Sequence, residues 1–162
     1  MYITYSDYVR YYGSDRIEEG QFERIALNVD RVLDMFTTGI DNYRKLREAF
    51  PTDEADAQMV KVCGCRIADI IFQVEKTEAA ALQSKDMTQT ENGVHGKAIA
   101  SMSAGNESVS YVTGTGTTLI DQAASSIESQ HQIIADVVKT FLSGIEDANG
   151  VNLLYMGRYP HV

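Results

Sequence analysis

No stretch of this sequence approaches the ~20 consecutive apolar residues that a membrane-spanning helix needs. The opening MYITYSDYVR lacks a basic start followed by an apolar run, so no signal peptide is expected and synthesis in the cytoplasm follows. Basic residues are few: 14 Lys and Arg stand against 23 Asp and Glu, a formal net charge of −9. They are scattered, the densest group being YRKLR at Tyr43 to Arg47. A protein that grips nucleic acid by neutralising phosphates needs such residues clustered. An acidic protein can still enclose DNA that must slide past it. Cysteine is scarce too: Cys63 and Cys65 form one C-x-C pair, with no second pair, and His95, His131 and His161 are isolated. Four ligands at zinc spacing are missing, so a helix with one or both thiols against the core is expected rather than a metal or redox centre.

Phosphate and nucleophile motifs are also missing. Gly114 to Asp121, GTGTTLID, lies between an expected strand and an expected helix, where phosphate loops occur. It lacks the Gly-Lys-Ser/Thr of a Walker loop, and Leu119 stands where the dinucleotide fingerprint has its third glycine. A flexible exit with Thr117 or Thr118 capping the next helix is the simpler reading. Ser101, Ser103, Ser108 and Ser110 offer no Gly-x-Ser-x-Gly elbow, and His95 nearby makes no triad by itself. No catalytic residue, metal or cofactor is assigned, and a non-enzymatic role is expected.

What is present is helical periodicity. At 162 residues, 44% hydrophobic and 23% charged, the chain has room for one domain with a core of its own. Thr4 followed by Asp7 makes a capping box with Asp in place of Glu, and Gly13 a stop, so Ser6 to Tyr12 reads as a short helix. Phe22, Ile25, Val29, Val32, Leu33 and Phe36 recur in steps of three and four, closed by Gly39. A short helix before Pro51 follows. Thr52 or Asp53 then opens a long helix whose stripe is Val60, Cys63, Ile67, Ile70, Ile71 and Val74. The carboxylates of Asp53, Glu54 and Asp56 suit the positive end of that helix. Residues 84–96 read as a loop. Ile127, Ile134, Val137, Val138, Phe141 and Ile145 form the face of a last helix, with Gly144 near its end.

Between these helices, residues 97–113 alternate like two strands, with Gly105-Asn106 suited to a type II′ turn. The expected fold is therefore mainly α: a small helical bundle with an inserted β-hairpin and an extended C-terminal tail. The single domain would comprise a helical body over about 4–82 and 118–148, a hairpin over about 97–113 and a docking tail over 149–162. Leu153 to Met156 are four apolar residues in a row near a chain end. They require cover, either from the chain's own bundle or from another protein.

The order of these parts resembles the head–tail connector proteins of long-tailed phages, also called adaptor or head-completion proteins. The resemblance rests on the opening YITYSDY, on Leu33-Asp34-Met35-Phe36-Thr37 ending a helix, on Ser108-Val109-Ser110 after a glycine turn, and on Tyr155-Met156-Gly157 after apolar residues. The segment from Thr115 to Gln132 is longer than in that pattern. The resemblance implies a structural virion protein in the neck between capsid and tail. It would form a ring of twelve copies on the portal after DNA packaging and extend the DNA channel toward the tail.

Its partners would be the portal protein, a stopper or tail-completion protein and further copies of itself. DNA would pass without sequence-specific binding, and no membrane would be involved. The portal-docking candidates are then Leu153, Leu154, Tyr155, Met156, Gly157, Arg158 and Tyr159. The inter-subunit or channel candidates on the hairpin are Ile99, Met102, Gly105, Asn106, Val109 and Tyr111. A stand-alone helical protein-binding module remains the alternative, and a small hydrolase or transferase built on Asp53, Glu54 or His95 the third reading.

Overall fold

The computed structural model describes residues 1–86, 102–104, 107–109, 120, 123, 124 and 126–160. Among the described residues five helices are delimited: α1 (Tyr5–Tyr12), α2 (Glu19–Thr37), α3 (Lys45–Glu48), α4 (Glu54–Asp86) and α5 (Ile127–Leu142). The fold is mainly helical.

Local chemistry sets the helix ends. Thr4 accepts a hydrogen bond from the Asp7 amide, and Asp7 accepts one in return from the Thr4 amide, completing the capping box of α1. Gly13 stops the helix at φ +78°, a left-handed value that glycine adopts without strain. Asp53 starts α4: its Oδ1 accepts from the amides of Ala55 (2.9 Å) and Asp56 (3.1 Å). The clustered acids of this turn thus act at a helix start. Ser126 caps α5 by accepting from the Ser129 amide at 3.1 Å.

The long helix α4 is the spine. Helix α2 runs antiparallel along it, as the Arg24–Glu75 pair at one end and Val29 and Leu33 beside Gly64 at the other require. Helix α5 packs on α4 and touches α2, and α1 lies across α4. All six residues of the expected α4 stripe are buried. So are Cys65, Ala68 and Asp69, because α4 is covered on more than one face.

The sequence Cys63-Gly64-Cys65 marks the place where the N-terminal segment crosses this spine. A Cβ at position 64 would lie 2.6 Å from Ile3 Cγ2, so only glycine lets the N-terminal segment and α4 approach this closely. Both flanking thiols are fully buried, and burial pushes each up to about 12. They fill space in the core. Among the described residues no group of three His, Cys, Asp or Glu side chains is placed to hold a metal, and no helix is long and apolar enough to cross a membrane.

Several expectations change. Helix α4 continues through Ser84 and Lys85 to Asp86 rather than giving way to a loop there. The last helix starts at Ile127 and ends at Leu142, and residues 143–148 turn rather than extend it. Ile127, expected in the core, is exposed at its first turn, while Leu142, one turn beyond Val138, is buried. The described residues of the helical body contain no strands, and a β-hairpin inserted over 97–113 is not supported. From that span the description covers only Met102–Ala104 and Glu107–Val109, two three-residue strands paired antiparallel with Met102 opposite Val109. Ile99, Gly105, Asn106 and Tyr111 lie outside the described residues, as do His95 and most of 114–121.

The C-terminal segment is not extended. It folds back over the body, for the physical reason that Leu153 has apolar cover there and Tyr159 has polar partners.

Candidate functional site

One end of the bundle gathers the C-terminal turn of α2, the link to α3 and residues 143–160. The link is a tight turn. Thr38 and Arg44 form an isolated antiparallel bridge, and Asn42 takes φ +62°, a left-handed value that asparagine tolerates better than most residues. The turn receives the tail. The Ile40 amide donates to the Met156 carbonyl at 3.1 Å, and the Tyr159 amide to Asp41 Oδ2 at 2.9 Å. Gly39 faces Gly157 so closely that a Cβ at 39 would lie 2.7 Å from the Gly157 carbonyl oxygen.

Beneath the tail sits a polar cluster. Asp147 is buried; its Oδ1 accepts from the amides of Asn149 (2.9 Å) and Val151 (3.0 Å), and its Oδ2 from the Tyr159 hydroxyl at 2.7 Å. Asn149 Nδ2 donates to the same phenol at 2.8 Å. The Tyr159 ring stacks on Tyr43, with centroids 3.9 Å apart. Burial and the Asp147 carboxylate push the Tyr159 phenol up to about 12, so it stays a donor. Lys45, also buried, donates through Nζ to the Tyr155 carbonyl. Burial lowers the affinity of its amine for a proton, and the carboxylates of Asp147 and Asp41 oppose that shift.

The seven docking candidates are thus split by the fold. Leu153 and Tyr159 are buried and hold the tail to its own body, and Leu154 packs partly on the core. Tyr155, Met156 and Arg158 face outward, with the Tyr155 ring lying over Gly157. The strand pair brings Met102 and Val109 opposite one another. Asp53 and Glu54, considered as acid–base candidates, stand at the start of α4, where Asp53 holds backbone amides.

Around this end the surface opens twice. A cavity of about 620 Å³ is bordered by Arg31, Arg44 and Arg47, with Asp34, Met35 and Asn42. Asp34 accepts from the Tyr2 hydroxyl and lies 3.7 Å from Arg47. A groove of about 690 Å³ runs between α2, α5 and the tail, lined by Met35, Phe36, Ala135, Val138, Leu154 and Met156 together with the polar Glu128, His131, Gln132 and Lys139. The arginines come partly from the YRKLR group that the sequence shows as its densest basic stretch. Arg31 and the groove could be found only through the fold, since they join residues from α2, α5 and the tail.

A second polar cluster lies along the spine. The fully buried Asp69 accepts from the Tyr8 hydroxyl (3.2 Å), Arg16 (3.0 Å) and Gln73 (2.7 Å), with Arg66 at 3.6 Å. Its oxygens are fully used in joining α1, the α1–α2 link and α4. Compared with known proteins, the chain matches no family model, no curated protein and no solved structure.

Proposed function

We propose that this chain is a structural virion protein, a head–tail adaptor that assembles as a ring on the portal after DNA packaging and extends the DNA channel toward the tail. The observation that carries the reading is the form of the C-terminal segment. It is pinned at Leu153 and Tyr159, and between these anchors it presents Tyr155, Met156 and Arg158 to solvent. A short apolar segment held at both ends is pre-ordered for docking, so little conformational entropy is lost on binding. The resemblance in the order of parts supports the same reading. So does the charge of −9, since a wall that repels phosphate lets DNA pass. The 97–113 segment, as an inserted hairpin, would contact neighbouring subunits or line the channel.

The test is light scattering of the purified protein, alone and mixed with portal rings of the same virus. A stoichiometric complex is expected, lost in the Tyr155→Asp/Met156→Asp double variant while circular dichroism stays unchanged. Deleting 98–112 should abolish ring or neck assembly and leave the helical body folded. A folded protein that ignores portal rings would overturn the adaptor reading in favour of a stand-alone binding module.

A further inference from the structure

Met35, about half exposed (52%), borders both the arginine cavity and the apolar groove, so the two openings form one surface. Its two halves differ in chemistry. On one side Arg31 and Arg44 are exposed and, among the described residues, make no ion pair; Arg47 is shared with Asp34. Asp34 is the one carboxylate among the described residues bordering that cavity, and it is already held by Tyr2 and Arg47. The cavity therefore carries an excess of positive charge on a chain of net charge −9. On the other side the groove is floored by Met35, Phe36, Val138, Leu154 and Met156. Methionine is flexible and polarisable, and it adapts to varied apolar partners. Arginine and methionine are the residues that protein interfaces favour.

We propose that this surface binds an acidic amphipathic helix of a partner protein. Apolar side chains at i, i+3, i+4 and i+7 enter the groove, and carboxylates on the flank of that helix meet Arg31 and Arg44, whose planar guanidinium groups pair with carboxylates through two hydrogen bonds. Nucleic acid fits less well, because an apolar groove has nothing to offer a phosphate backbone and three arginines supply few phosphate contacts. A second copy of this chain fits less well too. Its longer described helices, α2, α4 and α5, already commit their apolar stripes to their own core and leave none free to enter the groove. The inference does not depend on the adaptor reading.

The probe is a fluorescein-labelled helical peptide of about five turns, with Leu at the i, i+3, i+4, i+7 positions and Glu elsewhere. Two controls carry Lys for Glu, or Ser for Leu. Fluorescence anisotropy with the full chain should show saturable binding of the Glu/Leu peptide and none of either control. Arg31→Glu/Arg44→Glu and, separately, Met35→Glu should each weaken binding at least about tenfold. Arg44→Gln should weaken it less, and circular dichroism should match the parent throughout. Equal binding of the Glu and Lys peptides, indifference to these variants, or no binding of the Glu/Leu peptide would overturn the proposal. So would sedimentation equilibrium showing that the parent self-associates and that Met35→Glu abolishes it, since the occupant would then be a second copy.

Discussion

Asp69 and Asp147 are both buried carboxylates with every oxygen engaged, yet they do different work. Asp69 draws its partners from side chains far along the chain, Tyr8 and Arg16 among them, and so ties the N-terminal segment to the spine. Asp147 takes two backbone amides of its own loop and one phenol twelve residues on. The first closes contacts between helices; the second shapes a turn and fastens a tail to it. A buried charge is expensive unless its partners are in place, so removing either should expose what it organises.

The largest effect is expected at Asp69. Asp69→Ala leaves the buried Tyr8 hydroxyl without its partner and Arg16 and the half-buried Gln73 amide without theirs, and should cost about 3 kcal/mol, with the whole transition moving in urea denaturation. Asp147→Ala should cost about 2 kcal/mol, and hydrogen exchange should rise first in residues 145–159 while α2 and α4 stay protected. If both variants loosen the molecule uniformly, the contrast between a global and a local carboxylate is lost.

Gly64→Ala should destabilise by about 1–2 kcal/mol. Overpacking against Ile3 costs roughly 1–3 kcal/mol, and the gain in helix propensity returns up to about 1. Ile3→Ala in the same chain should relieve part of the clash, measured as a positive coupling in a double-mutant cycle.

The smallest effect near neutrality is that of pH, and it grows in alkali. Cys63 and Cys65 rise from 9.0 to about 12 on folding, and Tyr159 from 10.0 to about 12. The folded chain therefore holds protons that the unfolded chain releases. Their contribution is fully present below pH 9 and is lost as the pH climbs from there toward 12. Thermal melts should show a Tm that is level from pH 7 to 8.5 and falls beyond it. Tyr159→Phe should flatten the upper part of that fall, and a Tm that rises above pH 9 would contradict the burial of these groups.

Much of the helical body was legible because its signals are local. The Thr4–Asp7 box, the Gly13 stop, the Asp53 start and the α4 stripe are all written within a few residues of where they act. Reading one stripe per helix fails where a helix is covered on several sides, which is why Ala68 and Asp69 lie outside the expected stripe and are buried all the same. Ser126 caps the last helix, which places Ile127 in its exposed first turn rather than on its apolar face. The candidate surface was hidden for a different reason. Asp41 and Tyr159, Gly39 and Gly157, or Met35 and Met156 are neighbours only through the fold, and no spacing in the sequence announces such pairs.

The back-to-back contact of Gly39 with Gly157 has a consequence for descent. Any lineage that enlarges residue 39 pushes against the carbonyl at 157 and must re-route the tail or revert. That carbonyl is present whatever residue stands at 157, so the pressure to stay small falls on residue 39, while residue 157 is confined by the Tyr155 ring instead. A collection of related chains would carry the contact as a position 39 that stays small, a trace no single sequence displays.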